Sequence, residues 1–225
     1  MRGIAVEKTE RPPNMKAAAT ADVFAQMIEQ AGGTRTKDIR DRAILRVGAV
    51  TGLRRAELVA VNVEDLTWHD QGVSILIRRS KTDQTGVGRY VAVPCDGEAE
   101  DQGRCAAHAI RAWLARAPSD RGPLFRSLRK DGRSSGARLP AEQISDIVKH
   151  AASAAGLDPK VYAAHSLRSG YVTQAAREGL SLMEIMEQTG HRKIESVRRY
   201  ARDPVNPFRT GRVHVVARAF AGKKV

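Results

Sequence analysis

The chain has 225 residues, with 38 Lys and Arg against 25 Asp and Glu, and so a formal net charge of +13. Hydrophobic residues at 42% and charged residues at 28% are ordinary for a folded domain, which excludes wholesale disorder and collagen-like repeats. No apolar run approaches the roughly 18 residues of a membrane span, the start lacks a signal-peptide core, and two cysteines cannot build a disulfide scaffold. These features fit a reducing cytoplasm. The positive excess points to a polyanion, with nucleic acid ahead of an anionic membrane surface because no amphipathic anchor is evident.

Residues 1 to about 19 mix charges, Pro12-Pro13 and an alanine run without periodicity, and read as a linker. Thr20 can cap a short helix with Val23, Phe24, Met27 and Ile28 on one stripe, stopped by Gly32-Gly33. Asp38 opens a stronger helix in which Ile39, Ala43, Ile44 and Val47 recur at helical spacing until Thr51-Gly52. A shorter helix is expected from about 53 to 60. The period then changes to two: Val73, Ile75 and Ile77 alternate, as do Val87, Arg89, Val91 and Val93, around a polar tip at 80–86. Leu66-Thr67-Trp68 adds a third strand. Beyond Pro94 the pattern is helical, at about 104–115, 140–155, 166–178, 181–188 and 196–202, with Gly156, Gly179 and Gly190 at helix ends. The basic, Gly/Ser-rich stretch 126–138 reads as a mobile loop. The fold class expected is α+β, predominantly helical, with a small antiparallel three-stranded sheet.

Five islands could carry chemistry. In Thr51-Gly52-Leu53-Arg54-Arg55-Ala56-Glu57 a glycine turn starts a helix, and Glu57 lies one turn from Arg54, able to hold the guanidinium toward a phosphate. A plain surface ion pair has the same spacing. Lys81 sits at a hairpin tip, where a flexible stem can reach a substrate oxygen, although tips commonly hold solvated lysines. His165 and Arg168 share a helical face as an oxyanion clamp or as a cap beside a surface arginine. Gly170 allows a close backbone approach or tighter helix packing. The last two islands are Gly190-His191 and Tyr200. Nine residues of unbroken helix rotate about 900° and separate the two side chains, so a break at Gly190 is needed for them to share a site.

Clustered carboxylates of a metal-dependent nuclease and a Walker-type phosphate loop are both missing from the sequence. Cys95, Cys105 and His108 lack a fourth partner and the short pair spacing of a zinc site. The expectation is metal-free phosphoryl transfer with no cofactor.

The ordered series TGLRRAEL, SKTDQTG, HSLRSG and TGHRKIESVRRY resembles the catalytic domain of the tyrosine recombinase, or phage integrase, family. Ala56 stands where many members have Ser or Gly. The resemblance implies that Tyr200 attacks a DNA phosphodiester, forming a 3′-phosphotyrosyl link and releasing a 5′-hydroxyl. It makes Arg54 and Arg168 the pair gripping non-bridging oxygens and Lys81 the general acid. His165 and His191 become proton-handling partners, and Glu57 supports from behind. Arg55, Arg79, Arg126, Arg129, Lys130, Arg133, Arg192, Lys193 and Arg199 are the cations expected along double-stranded DNA. The same resemblance implies site-specific recombination or integration by a bacterial or phage-encoded, nucleoid-associated protein, and a homotetramer on DNA. Type IB topoisomerase-like relaxation and a truncated DNA-binding regulator or inactive remnant are the alternatives. Domain boundaries follow: 1–37 as linker and short helix leading from an N-terminal DNA-binding domain, 38–203 as catalytic domain, and 204–225 as a tail for exchange between protomers.

Overall fold

A computed structural model describes residues 16–78, 88–95 and 105–198. The expected hairpin tip with Arg79 and Lys81, the segment with Arg199 and Tyr200, and the tail 204–225 lie outside the described residues.

The molecule is built around helix α2 (Thr36–Thr51), which follows α1 (Ala21–Gln30) and precedes the short α3 (Arg55–Ala60). Residues on every side of α2 are buried, from Ala43, Ile44 and Val47 to Arg40, Asp41 and Arg46, so it is a central helix and not a surface one. Its neighbours are α4 (Ala106–Arg116), α5 (Ala141–Ala154) and α6 (Ala164–Arg177). Gly48 makes the α2–α6 crossing close, since a Cβ there would stand 2.7 Å from Leu167 Cδ1. Two further helices, α7 (Leu182–Thr189) and α8 (Ile194–Arg198), rest against α6 around Val172, Ile185 and Val197.

The alternating segments form the expected antiparallel sheet in the order β1 (Leu66–His69), β2 (Gly72–Ile77), β3 (Arg89–Pro94). Its register pairs Val73 with Val93, Ile75 with Val91 and Ile77 with Arg89. One face carries the buried Val73, Ile75, Ile77, Val91 and Val93, and Arg89 belongs to that inward face by period two.

Two expectations need correction. The stretch 126–138 is not a loop: β4 (Arg126–Leu128) and β5 (Ser134–Arg138) pair as a second, two-stranded sheet. Arg138 anchors it by donating to Val61 O at 3.3 Å and to Asn62 Oδ1 at 2.6 Å. Side-chain bonds to the body of the protein outweigh the Gly/Ser composition here. The chain from residue 16 is also not a linker. Ala17 and Ala19 are buried in the main core with Met27, and their amides donate to Val161 O and Ser166 O at 2.8 and 2.9 Å. Gly170 makes room for that strap, because a Cβ there would fall 2.0 Å from Ala19 O. Among the described residues, no helix is long and apolar enough to cross a membrane.

Candidate active site

Helix α7 stops at Thr189, and its last carbonyls lack partners within the helix. Three arginines from three other segments supply them. Arg89 of β3 donates to Gln188 O at 2.7 Å and to Thr189 O at 3.4 Å. Arg168 of α6 donates from Nη1 to Thr189 O at 2.7 Å and to Gly52 O at 2.6 Å. Arg54, just before α3, donates to Gly190 O at 3.2 Å. Positive charge at a helix C-terminus is favourable, and here it also ties the turn at Gly52 and β3 to the end of α7.

Gly190 is required at this junction. It adopts the left-handed φ of 68°, and a Cβ would approach Arg89 Nε to 2.7 Å. The break that the His191-to-Tyr200 interval demands is therefore present, with α8 beginning at Ile194.

Glu57 is 4% exposed and would be costly as an unpaired buried carboxylate. It accepts from the Arg54 backbone N–H at 3.0 Å and from Arg54 Nη1 at 2.6 Å. Arg89 Nη2 adds a third contact at 3.3 Å. The guanidinium of Arg54 is thus fixed from behind, while part of its side chain remains open to solvent.

His165 and Arg168 lie one turn apart on α6. With Leu53, Arg54, Arg55 and Ser145 they line a pocket of about 250 Å³. Partial burial, followed by the Arg168 and Arg54 charges, pulls the His165 pKa below its ordinary value. His165 is nonetheless exposed as a residue, so its desolvation is incomplete.

His191 is pushed much further, to about 3, by burial first and then by Arg168, Arg54, His165 and Arg89. At neutral pH it is an uncharged imidazole. The Thr189 hydroxyl donates its single hydrogen to Ile185 O at 2.5 Å and lies 2.7 Å from His191 Nδ1. The tautomer that satisfies both contacts has the hydroxyl accepting from Nδ1–H, which leaves Nε2 as an acceptor.

The structure brings Arg54, Glu57, His165, Arg168 and His191 together. Among the expected DNA-facing cations, Arg55, Arg129, Lys130, Arg133, Arg192 and Lys193 are exposed. Arg126 is not among them and is corrected here. It is 6% exposed, its guanidinium donates to Ala117 O and Pro118 O, and it lies over the Trp113 ring. A cation held this way closes the helix α4 terminus and cannot reach a phosphate backbone.

Arg89 is the participant that motif reading passed over. The signal was present: an arginine at an inward position of an alternating strand needs a buried partner, which proves to be Glu57 and the α7 carbonyls.

The helical fold with its small sheet is shared with solved recombinase structures. XerH site-specific recombinase bound to a palindromic difH substrate superposes with a TM-score of 0.66 at 19% identity, covering 92% of this chain and 54% of that one. A lambda integrase dimer bound to a COC′ core site gives 0.60 at 17% identity, covering 90% and 52%. Residues 18–206 match the Phage integrase family, and the chain belongs to it. Among its relatives are an integrase/recombinase xerD homolog of Selenomonas ruminantium and the tyrosine recombinase XerD of Mycobacterium tuberculosis. The first is 39% identical over 162 residues, 72% of this chain and 47% of the relative. The second is 28% identical over 215 residues, 91% and 63% respectively. The chain thus spans about half to two thirds of the length of these relatives.

Proposed function

We propose that this chain is the catalytic part of a site-specific tyrosine recombinase that cuts and rejoins double-stranded DNA without metal or nucleotide cofactor. The observation that carries the reading is the convergence of Arg54, His165, Arg168 and His191 from three separated segments beside one basic pocket. Two guanidiniums with two imidazoles suit a phosphodiester: the cations offset the charge that develops on non-bridging oxygens, and each such donor is worth roughly 3–4 kcal/mol in the transition state.

Tyr200 is the nucleophile in this scheme. A phenol with pKa about 10 is ionised to about one part in a thousand at pH 7, so it needs neighbouring cations and an acceptor for its proton. Neutral His191, with Nε2 able to accept, suits that role, and its basicity rises once a phosphate's negative charge enters the site. The tyrosyl oxygen bonds to phosphorus, the bond to the 5′-oxygen breaks, and Lys81 protonates the leaving oxygen. The ester energy is kept in the phosphotyrosyl bond, so attack by another 5′-hydroxyl rejoins DNA with no external energy source. A DNA substrate places this work in the cytoplasm at the nucleoid, and two duplexes exchanging strands call for a homotetramer on DNA.

The test is covalent capture. Incubated with a pool of nicked duplexes, the protein retains DNA after denaturation, and Tyr200→Phe retains none. An adduct that persists in Tyr200→Phe contradicts the assignment. Relaxation of supercoiled plasmid by the monomer, with no site preference, would move the reading to a topoisomerase.

A further inference from the structure

A second group of reactive side chains lies outside the arginine cluster, where the end of β3 meets the start of α4. Cys95 follows Pro94, the last residue of β3. Cys105 holds the N-cap position of α4, and His108 lies one turn into that helix. Their donor atoms all fall within 4.8 Å of one another, with His108 Nδ1 3.1 Å from Cys95 Sγ. All three side chains are half-buried.

We propose that, with its thiols reduced, this group binds one Zn²⁺ through Cys95 Sγ, Cys105 Sγ and His108 Nδ1, with solvent in the fourth position. Two thiolates and an imidazole form the donor set that this borderline-soft cation prefers, and tetrahedral coordination needs no further protein ligand when water completes it.

The sulfurs of Cys95 and Cys105 are joined as a disulfide, with the Cα atoms 5.5 Å apart. That bond joins two of the three groups and leaves the imidazole a hydrogen bond to Cys95 Sγ. A cation employs all three. The two forms are linked by ordinary chemistry. A dithiol reductant transfers two electrons and two protons to the disulfide, leaving two thiols and the reductant as its own disulfide. Zinc binding then displaces the two thiol protons to solvent.

The donors are held by rigid elements, which favours a preformed site. Val91 and Val93 fix β3 in the core, and Ala106, Ala107, Ile110 and Trp113 fix α4. The intervening residues 96–104 lie outside the described residues. Bound zinc would clip the two elements together at their nearest ends, on the strand whose other end carries Arg89.

The experiment uses the full chain, kept under a dithiol reductant, stripped with a chelator and titrated with Zn²⁺ against a chromophoric indicator, then with Co²⁺. The expected result is about one equivalent of zinc and a thiolate-to-cobalt charge-transfer band. Cys95→Ser and Cys105→Ser should abolish both signals. His108→Ala should weaken binding by at least about tenfold, since losing even an outer partner of a metal ligand costs roughly 10–100-fold. Circular dichroism of each variant separates loss of the site from loss of the fold, and the cobalt band of the unaltered chain needs no variant. Two freely titrating thiols without a cobalt band would overturn the proposal. So would a disulfide that resists the dithiol, or zinc binding that survives Cys95→Ser.

Discussion

The arginines around the end of α7 and the cations on the β4–β5 turn belong to one basic composition, yet they have opposite surroundings. Arg168 and Arg89 are tied to carbonyls of Gly52, Gln188 and Thr189, and Arg54 and Arg89 share the buried Glu57. Arg129, Lys130 and Arg133 project into solvent from a short hairpin. The first group is positioned by its bonds and suits a single phosphate. The second suits attraction to a polyanion as a whole, which is screened by salt. Net charge measures their sum and cannot divide it. Arg40, Arg126 and Arg138 show a third use, as internal fasteners between backbone segments.

Removing a positioned cation should have the largest effect. Arg168→Ala should slow strand cleavage by about 10²–10³-fold, the scale of losing one oxyanion donor, read as the single-turnover rate of adduct formation. Arg89→Met keeps the apolar stem but leaves Glu57 and the α7 carbonyls short of a partner. It should cost roughly 3 kcal/mol in denaturant unfolding and should slow cleavage as well, because the Gly190–His191 junction loosens. A stable but inactive Arg89→Met would instead make Arg89 a direct participant in the reaction.

Gly190→Ala meets both a left-handed φ and the Arg89 guanidinium, and should destabilise by about 1–3 kcal/mol. A pH series sharpens the same contrast. His191, held near 3, and His165, also lowered, bind protons more readily in the unfolded chain. Their neutral forms support stability above the unfolded value of about 6.5. As pH falls below that value the support is lost progressively, toward about 3 for His191. Unfolding midpoints between pH 4.5 and 7 should fall with acidification, and less steeply in His191→Asn. The smallest change in stability belongs to the turn. Arg129→Gln, Lys130→Gln and Arg133→Gln together should leave unfolding within about 0.5 kcal/mol, while the slope of log affinity against log salt drops by roughly 2–3.

Much of the fold is legible in the sequence because its elements follow local rules. The β2 and β3 alternation predicts the inward face, and Gly156, Gly179 and Gly190 all take positive φ at helix ends. The motif spacing also leads to Arg54, Glu57, His165, Arg168 and His191. What escapes is contact between elements. The 126–138 stretch looks mobile by composition, but Arg138 reaches back to Val61 and Asn62. Arg126 looks like a DNA contact until Ala117 and Pro118 close over it. Cys95 meets Cys105 and His108 only because β3 ends beside α4. Each of these depends on a partner in another segment, from 8 to 77 residues away in the chain, which the spacing within one element does not reveal.

The central claim is that Arg54 and Arg168 act by offsetting the charge of one scissile phosphate. Its most direct measurement compares a natural duplex, identified from the captured adducts, with one carrying a neutral methylphosphonate at the scissile position. With the charge removed, the cleavage defect of Arg168→Ala relative to the unaltered chain should shrink by at least about tenfold. An equal defect on both substrates would contradict the account.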